Sequence, residues 1–154
     1  MLAWPYGSIK LMSSYYFTNT DAGPPSVGVD NGAHCGDGSN WVCEHRWPLI
    51  ANMIAWRNAV NSASVSNWQE GSGGNQIAFS RGGAGFVAFN RAGSSSWSAT
   101  LQTGLPAGQY CNVLASYDAD KVGTCSTVTV NADGTASINV PSMSAVALHI
   151  KAKK

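Results

Sequence analysis

The pattern of this chain changes near Asn61, and the change constrains the fold more than any other feature. Beyond that point come short apolar runs separated by Gly-rich turns. Gln76-Ile77-Ala78-Phe79 and Phe86-Val87-Ala88-Phe89 flank Arg81-Gly82-Gly83-Ala84-Gly85, which reads as a hairpin. Residues 98–102, 110–114, 127–130, 136–140 and 145–150 follow as further strands, with Asp133-Gly134 as a turn between two of them. About seven strands at this spacing predict an antiparallel all-β sandwich over residues 62–154, with Greek-key connections.

Before Asn61 the pattern is mixed. Residues 9–13 read as one short strand, with Ile9, Leu11 and Ser13 facing one way and Lys10 and Met12 the other. Residues 16–40 hold Gly23-Pro24-Pro25 and Asp30-Asn31-Gly32 and show no periodicity, so they read as a long loop. A helix is expected over 41–60, with Asn40 as its N-cap and Glu44 in its first turn. Trp47, Ile50, Ala51 and Ile54 recur at helical spacing and form its apolar stripe. A strand, a loop and a helix make one βα unit, and one such unit cannot close a barrel.

With 154 residues the chain suits one domain, or one domain and part of another. Charged residues make up 11% and the formal net charge is +1, so no field exists to attract nucleic acid or an anionic membrane. No apolar stretch approaches the ~20 residues that span a bilayer as a helix. Lys151, Lys153 and Lys154 read as a solvated tail. Four cysteines allow three connectivities, of which loop closure favours Cys35 with Cys43 and Cys111 with Cys125. Two bridges point to an oxidising, extracellular compartment.

The run Trp41-Val42-Cys43-Glu44-His45-Arg46-Trp47 is preceded, in order, by Met1-Leu2-Ala3-Trp4-Pro5-Tyr6-Gly7 and Met12-Ser13-Ser14-Tyr15. These segments resemble the end of the catalytic (β/α)8 TIM barrel of animal-type, chloride-dependent alpha-amylases, which are glycoside hydrolases. Gly85-Phe86-Val87-Ala88-Phe89-Asn90 and Leu101-Gln102-Thr103-Gly104-Leu105-Pro106-Ala107-Gly108-Gln109-Tyr110-Cys111 resemble the C-terminal β domain of the same family. The resemblance covers nearly the whole chain. It implies that residues 1–61 are the last strand, loop and helix of the barrel, that residues 62–154 are the β domain, and that Met1 is an internal methionine of a longer product. It also implies the local pairing of the cysteines.

The family hydrolyses internal α-1,4-glucosidic bonds of starch and glycogen with retention, using two carboxyl groups placed either side of the scissile bond. By resemblance those carboxylates belong to barrel strands upstream of Met1. The acidic residues here are Asp21, Asp30, Asp37, Glu44, Glu70, Asp118, Asp120 and Asp133, and none sits in a matching motif. No catalytic residue is therefore expected in this chain. Lys10 stands where the family places the basic residue that binds chloride, and a cation there can hold an anion near the catalytic acid and keep its pKa raised. A structural Lys10 paired with a barrel carboxylate is the other reading. Calcium is implied for the complete enzyme, with ligands mostly upstream. The complete enzyme is expected to be secreted and monomeric, with starch or glycogen as its partner.

The segment after Tyr16 departs from mammalian members. It looks shorter and lacks their tryptophan before Gly-Pro-Pro, which leaves Asp21 as a weak substrate-loop contact. Trp4 also replaces a common histidine. Cys35, Cys43, His34 and His45 can be drawn as a zinc site, but the spacing does not match the common patterns, so a disulfide is preferred. Arg81-Gly82-Gly83-Ala84-Gly85 lacks the Gly-Lys-Ser/Thr of a phosphate cradle and reads as a turn. The six tryptophans read mainly as packing. The alternative function is a non-catalytic carbohydrate-binding or structural β-sandwich module.

Overall fold

The structure is a computed structural model that describes residues 1–115 and 125–154. Two compact units divide it: Met1–Gly7 with Asn52–Lys154, and Ser8–Ala51. The division does not follow the change of pattern at Asn61. Residues on both sides of that point share one apolar cluster, because the second half of the helix supplies side chains to the β region.

In the first unit the strands are β1 (Val65–Glu70), β2 (Gln76–Arg81), β3 (Gly85–Asn90), β4 (Trp97–Gln102), β5 (Gly108–Cys111), β6 (Thr127–Val130), β7 (Thr135–Val140) and β8 (Ser144–His149). All described pairings are antiparallel. One sheet runs β1-β2-β3-β8, and β4-β7 and β5-β6 form two-stranded ladders. The pairings β3–β8, β4–β7 and β5–β6 are nested one inside the next. The tight turn between β2 and β3 holds the expected hairpin in continuous register from Gln76↔Asn90 to Arg81↔Gly85.

The four-stranded sheet is covered on both faces. Side chains alternate across a strand, so paired residues share a face. Ala78, Ala88 and Val146 pair across three strands and pack with Trp97, Leu101 and Ile138 of the opposite ladder. Phe79, Val87 and Ala147 pair one position along and pack with Met53, Trp56 and Val60. This explains why β2 and β3 read as near-continuous apolar runs rather than alternating ones.

The helix, α1, spans Pro48–Val60 rather than beginning at Trp41. Pro48 occupies its first position, where a missing N–H and a fixed φ cost least. Cys43 is left-handed (φ 58°), and a 3-10 turn at Glu44–Arg46 intervenes, so Asn40 caps nothing. The buried face is also not the expected one. Met53, Trp56 and Val60 are buried, whereas Trp47 is half exposed and Ile50 and Ile54 are partly so. The Trp56 indole N–H donates to the Leu148 carbonyl at 2.7 Å. Gly85 is required beneath it, since a Cβ there would run into Val60 Cγ1 and lie 3.1 Å from Trp56 Cζ2.

The second unit has little regular structure. The strand expected over 9–13 does not form, and these residues are irregular. A barrel strand is held by ladders on both sides, and none pairs with this segment. Order comes instead from a disulfide, Cys35–Cys43, with Cα atoms 5.4 Å apart, and from single bridges of Trp41 to Tyr15 and Cys35. Cys43 is its only fully buried residue. Among the described residues no helix is long and apolar enough to cross a membrane.

Candidate functional site

The residues predicted from sequence do not converge. Lys10 is exposed on the irregular segment, and Asp21 is exposed in a turn where its N–H bonds Asn19 Oδ1 at 3.0 Å. His34 lies 3.7 Å from Asp30, and His45 sits in the 3-10 turn. Cys35 and Cys43 are joined, as are Cys111 and Cys125, so the zinc set has no free thiolate. Among the described residues no group of three His, Cys, Asp or Glu could hold a metal ion.

Three carboxylates serve local structure. Asp37 accepts from the Ser39 and Asn40 N–H groups and the Asn40 amide, and these bonds, the Asn40 side chain foremost, hold it well below the usual carboxylate range. Glu44 is lowered by the Ser14 hydroxyl and then the Ser14 N–H, both of which donate to it. Asp133 is lowered chiefly by the Thr135 hydroxyl. Asp118 and Asp120 lie outside the described residues.

Two arginines act on backbone rather than on carboxylates. Arg81, fully buried in β2, donates to the carbonyls of Ala63 (2.6 Å), Ala3 (2.9 Å) and Asn61 (2.9 Å). Arg57 donates to those of Leu2 (3.0 Å), Trp4 (2.7 Å) and Gly7 (3.2 Å). Together they fasten Met1–Gly7 to the β region, and Arg81 also satisfies carbonyls just past the end of α1. Burial, then the neighbouring Arg57 charge, lowers the Arg81 pKa. The sequence placed Arg81 in a turn; only the β2–β3 register shows it on the inner face.

His149 ends β8 and is buried, with neither ring nitrogen given a hydrogen bond by the protein. Burial, followed by the Lys151 charge, lowers its pKa to about 4, so the ring is neutral at pH 7.

The tryptophans divide. Trp56 and Trp97 are core. Trp4 and Trp68 are each about half exposed and meet around the buried ring of Phe79. Trp68 stacks on Phe79 (5.7 Å, 12°), and Trp4 stands edge-on to Trp68 (6.0 Å, 87°) and to Phe79 (5.4 Å, 84°). The Trp68 indole N–H donates to Glu70 Oε1 at 2.7 Å. Elsewhere two open grooves of about 540 and 490 Å³ share Ser137, Ile138 and Asn139, the larger bounded also by β6 and the smaller by β4, and neither is lined by a charged group.

Known proteins place this arrangement. Residues 68–151 match the family model described as the alpha amylase C-terminal all-beta domain. An alpha-amylase of Tribolium castaneum is 44% identical over 99% of this chain, and one of Pecten maximus is 44% identical over 100% of it. Pancreatic alpha-amylase of Rattus norvegicus is 42% identical over 99%. A mutant of alpha-amylase I from Eisenia fetida, solved in complex with maltohexaose, superposes with a TM-score of 0.81 at 39% identity over 97% of this chain. The chain spans about a third of the length of these relatives: 32% of the Tribolium and Pecten proteins and 33% of the Rattus and Eisenia ones. The chain belongs to the alpha-amylase family and carries its C-terminal all-β domain.

Proposed function

We propose that this chain is the C-terminal part of a secreted, chloride-dependent alpha-amylase. The complete enzyme would hydrolyse internal α-1,4 bonds of starch and glycogen with retention of configuration. One observation carries the reading: nearly all of this chain aligns with only a third of enzymes named alpha-amylase, and one of these is solved with maltohexaose. Retaining hydrolysis needs two carboxyl groups about 5 Å apart across the scissile bond. The carboxylates of Asp37, Glu44 and Asp133 are instead engaged in local hydrogen bonds. The reacting pair is assigned, by the family resemblance, to upstream polypeptide.

Residues 1–61 are read as the end of the (β/α)8 barrel, whose strand over 9–13 would form only between barrel neighbours. The nested strand pairs are read as Greek-key connections. Calcium is assigned to ligands mostly upstream, since among the described residues no group of three His, Cys, Asp or Glu could hold a metal ion. Chloride is assigned to Lys10 through its charge alone, with the remaining ligands supplied upstream. The two disulfides support an extracellular setting.

Reducing-sugar release from starch tests this reading, comparing the chain with a version extended upstream by the barrel of a relative. Hydrolysis by the extended protein alone is expected. Hydrolysis by this chain itself would overturn the reading. In the extended protein, Lys10→Gln should abolish chloride activation and move the pH profile; unchanged chloride dependence would remove the assignment of Lys10.

A further inference from the structure

We propose that Trp4 and Trp68, with Glu70 at the rim, form a contact site for an α-1,4-linked glucan on the β region. It rests on the preceding section only for the linkage of the sugar.

Trp68 is held as a platform. β1 is an edge strand, and its register with β2 shifts between Ser66 and Gln69. Asn67 within that bulge is left-handed (φ 49°), a conformation uncommon for a side chain other than glycine. Bulges of this kind re-aim the next side chain. Asn67 is fixed by donating to Ser80 Oγ at 3.1 Å. Gln69 is fixed by bonds to both the N–H and the carbonyl of Gln102, at 2.8 and 2.9 Å. The backbone on either side of Trp68 is thus anchored, its ring rests on Phe79, and its N–H is held by Glu70.

Despite this, Trp68 is 48% exposed and Trp4 45%. Trp68 keeps this exposure although one face of its ring is stacked on Phe79. Trp4 stands perpendicular beside it, on the segment that Arg57 fastens. A floor and a wall result. An indole normally hides its apolar body, so a fixed and half-open pair marks a recognition surface.

The chemistry selects the occupant. A pyranose ring offers a flat C–H face to the indole floor and hydroxyls at its edge. Glu70 accepts from such hydroxyls through its second carboxylate oxygen, since Oε1 already holds the indole N–H. A nucleotide also stacks, but its phosphates would meet the Glu70 carboxylate. One floor and one wall contact one or two sugar units, so a Kd on the order of 1 mM is expected.

The test is a titration of the chain with maltohexaose, read from its indole N–H resonances. Those of Trp4 and Trp68 should shift saturably while that of buried Trp56 stays still. Trp68→Ala should weaken binding at least tenfold, Trp68→Phe only a few fold, and Trp4→Ala by an intermediate amount. Urea unfolding of each variant separates lost binding from lost fold, and Trp68→Phe keeps an aromatic ring on Phe79. No shift at about ten times the expected Kd would overturn the proposal, as would equal binding of cellohexaose. Shifts that follow protein concentration instead of sugar would make the patch a self-contact and equally remove it. None of these outcomes alters the starch hydrolysis assay, so the two readings can fail separately.

Discussion

The β region and Ser8–Ala51 are held together by different forces. The first buries two apolar clusters, one on each face of a four-stranded sheet. The second buries only Cys43 and relies on a disulfide, single bridges and side-chain bonds to backbone, such as Ser13 Oγ accepting from the Cys43 N–H. Apolar burial contributes roughly 25 cal/mol per Å² and is distributed over many residues. A cross-link acts mainly by restricting the unfolded chain. The β region, which also carries the Cys111–Cys125 bridge within its core, should therefore be the more sensitive to core deletion, and Ser8–Ala51 the more dependent on its single cross-link.

The sharpest test of the first half of that contrast is Trp56→Ala. It removes a fully buried indole and leaves the Leu148 carbonyl without its donor. A loss of about 4 kcal/mol is expected from urea unfolding followed by a β-sheet signal. A loss below about 1 kcal/mol would show that the helix is dispensable to the sheet. Next is Arg81→Leu, which orphans three carbonyls at once. About 3 kcal/mol is expected, together with protease cleavage inside Met1–Gly7. If that segment stays protected, Arg57 suffices to hold it.

Acid should separate the regions as well. His149 has its folded pKa lowered to about 4, so between pH 6.5 and 4 the unfolded chain binds the extra proton. Stability is full above pH 6.5 and falls as pH drops through that window, by roughly 2–3 kcal/mol at its end. His149→Phe should flatten the slope measured by unfolding at pH 7, 5 and 4. Reduction of Cys35–Cys43 should release about 2–3 kcal/mol of restraint, confined to Ser8–Ala51. Hydrogen exchange would reveal it as deprotection of Trp41 and Val42 amides with β2 and β3 unchanged. The smallest effect belongs to Glu44→Gln, which weakens the bond from the Ser14 N–H and should speed exchange of that amide a few fold.

The same contrast explains what the sequence disclosed. Strands were legible where apolar runs end in turns that need glycine, and the β2–β3 hairpin formed at the expected place. The helix was legible in kind but not in start or face. Leu49, Ile50, Met53, Ile54, Trp56 and Val60 put apolar groups all round it, so periodicity could not choose a side. Pro48 carried the true start, because a proline fits the first turn and nowhere deeper. The strand over 9–13 alternates correctly yet has no neighbour, and pattern without pairing makes no strand. Arg81 beside Gly82-Gly83 looked like turn chemistry, and its role depends on carbonyls more than ten residues away. The Trp4 and Trp68 pair joins positions 64 residues apart and left no local signal.

The nesting of strand pairs also sets an order of events. The Gly85↔His149 contact closes a far longer stretch of chain than the Gly108↔Val130 contact does. Closing longer loops costs more entropy and slows folding. Among the three nested pairs, pairing should begin at β5–β6, spread to β4–β7 and finish at β3–β8. On a ribosome, β8 is also the last of these strands to emerge, and until it docks one edge of β3 has no neighbour. A bare edge beside an apolar face recruits other chains. A product ending before Ser144 should therefore aggregate during synthesis, although it keeps most of its core residues.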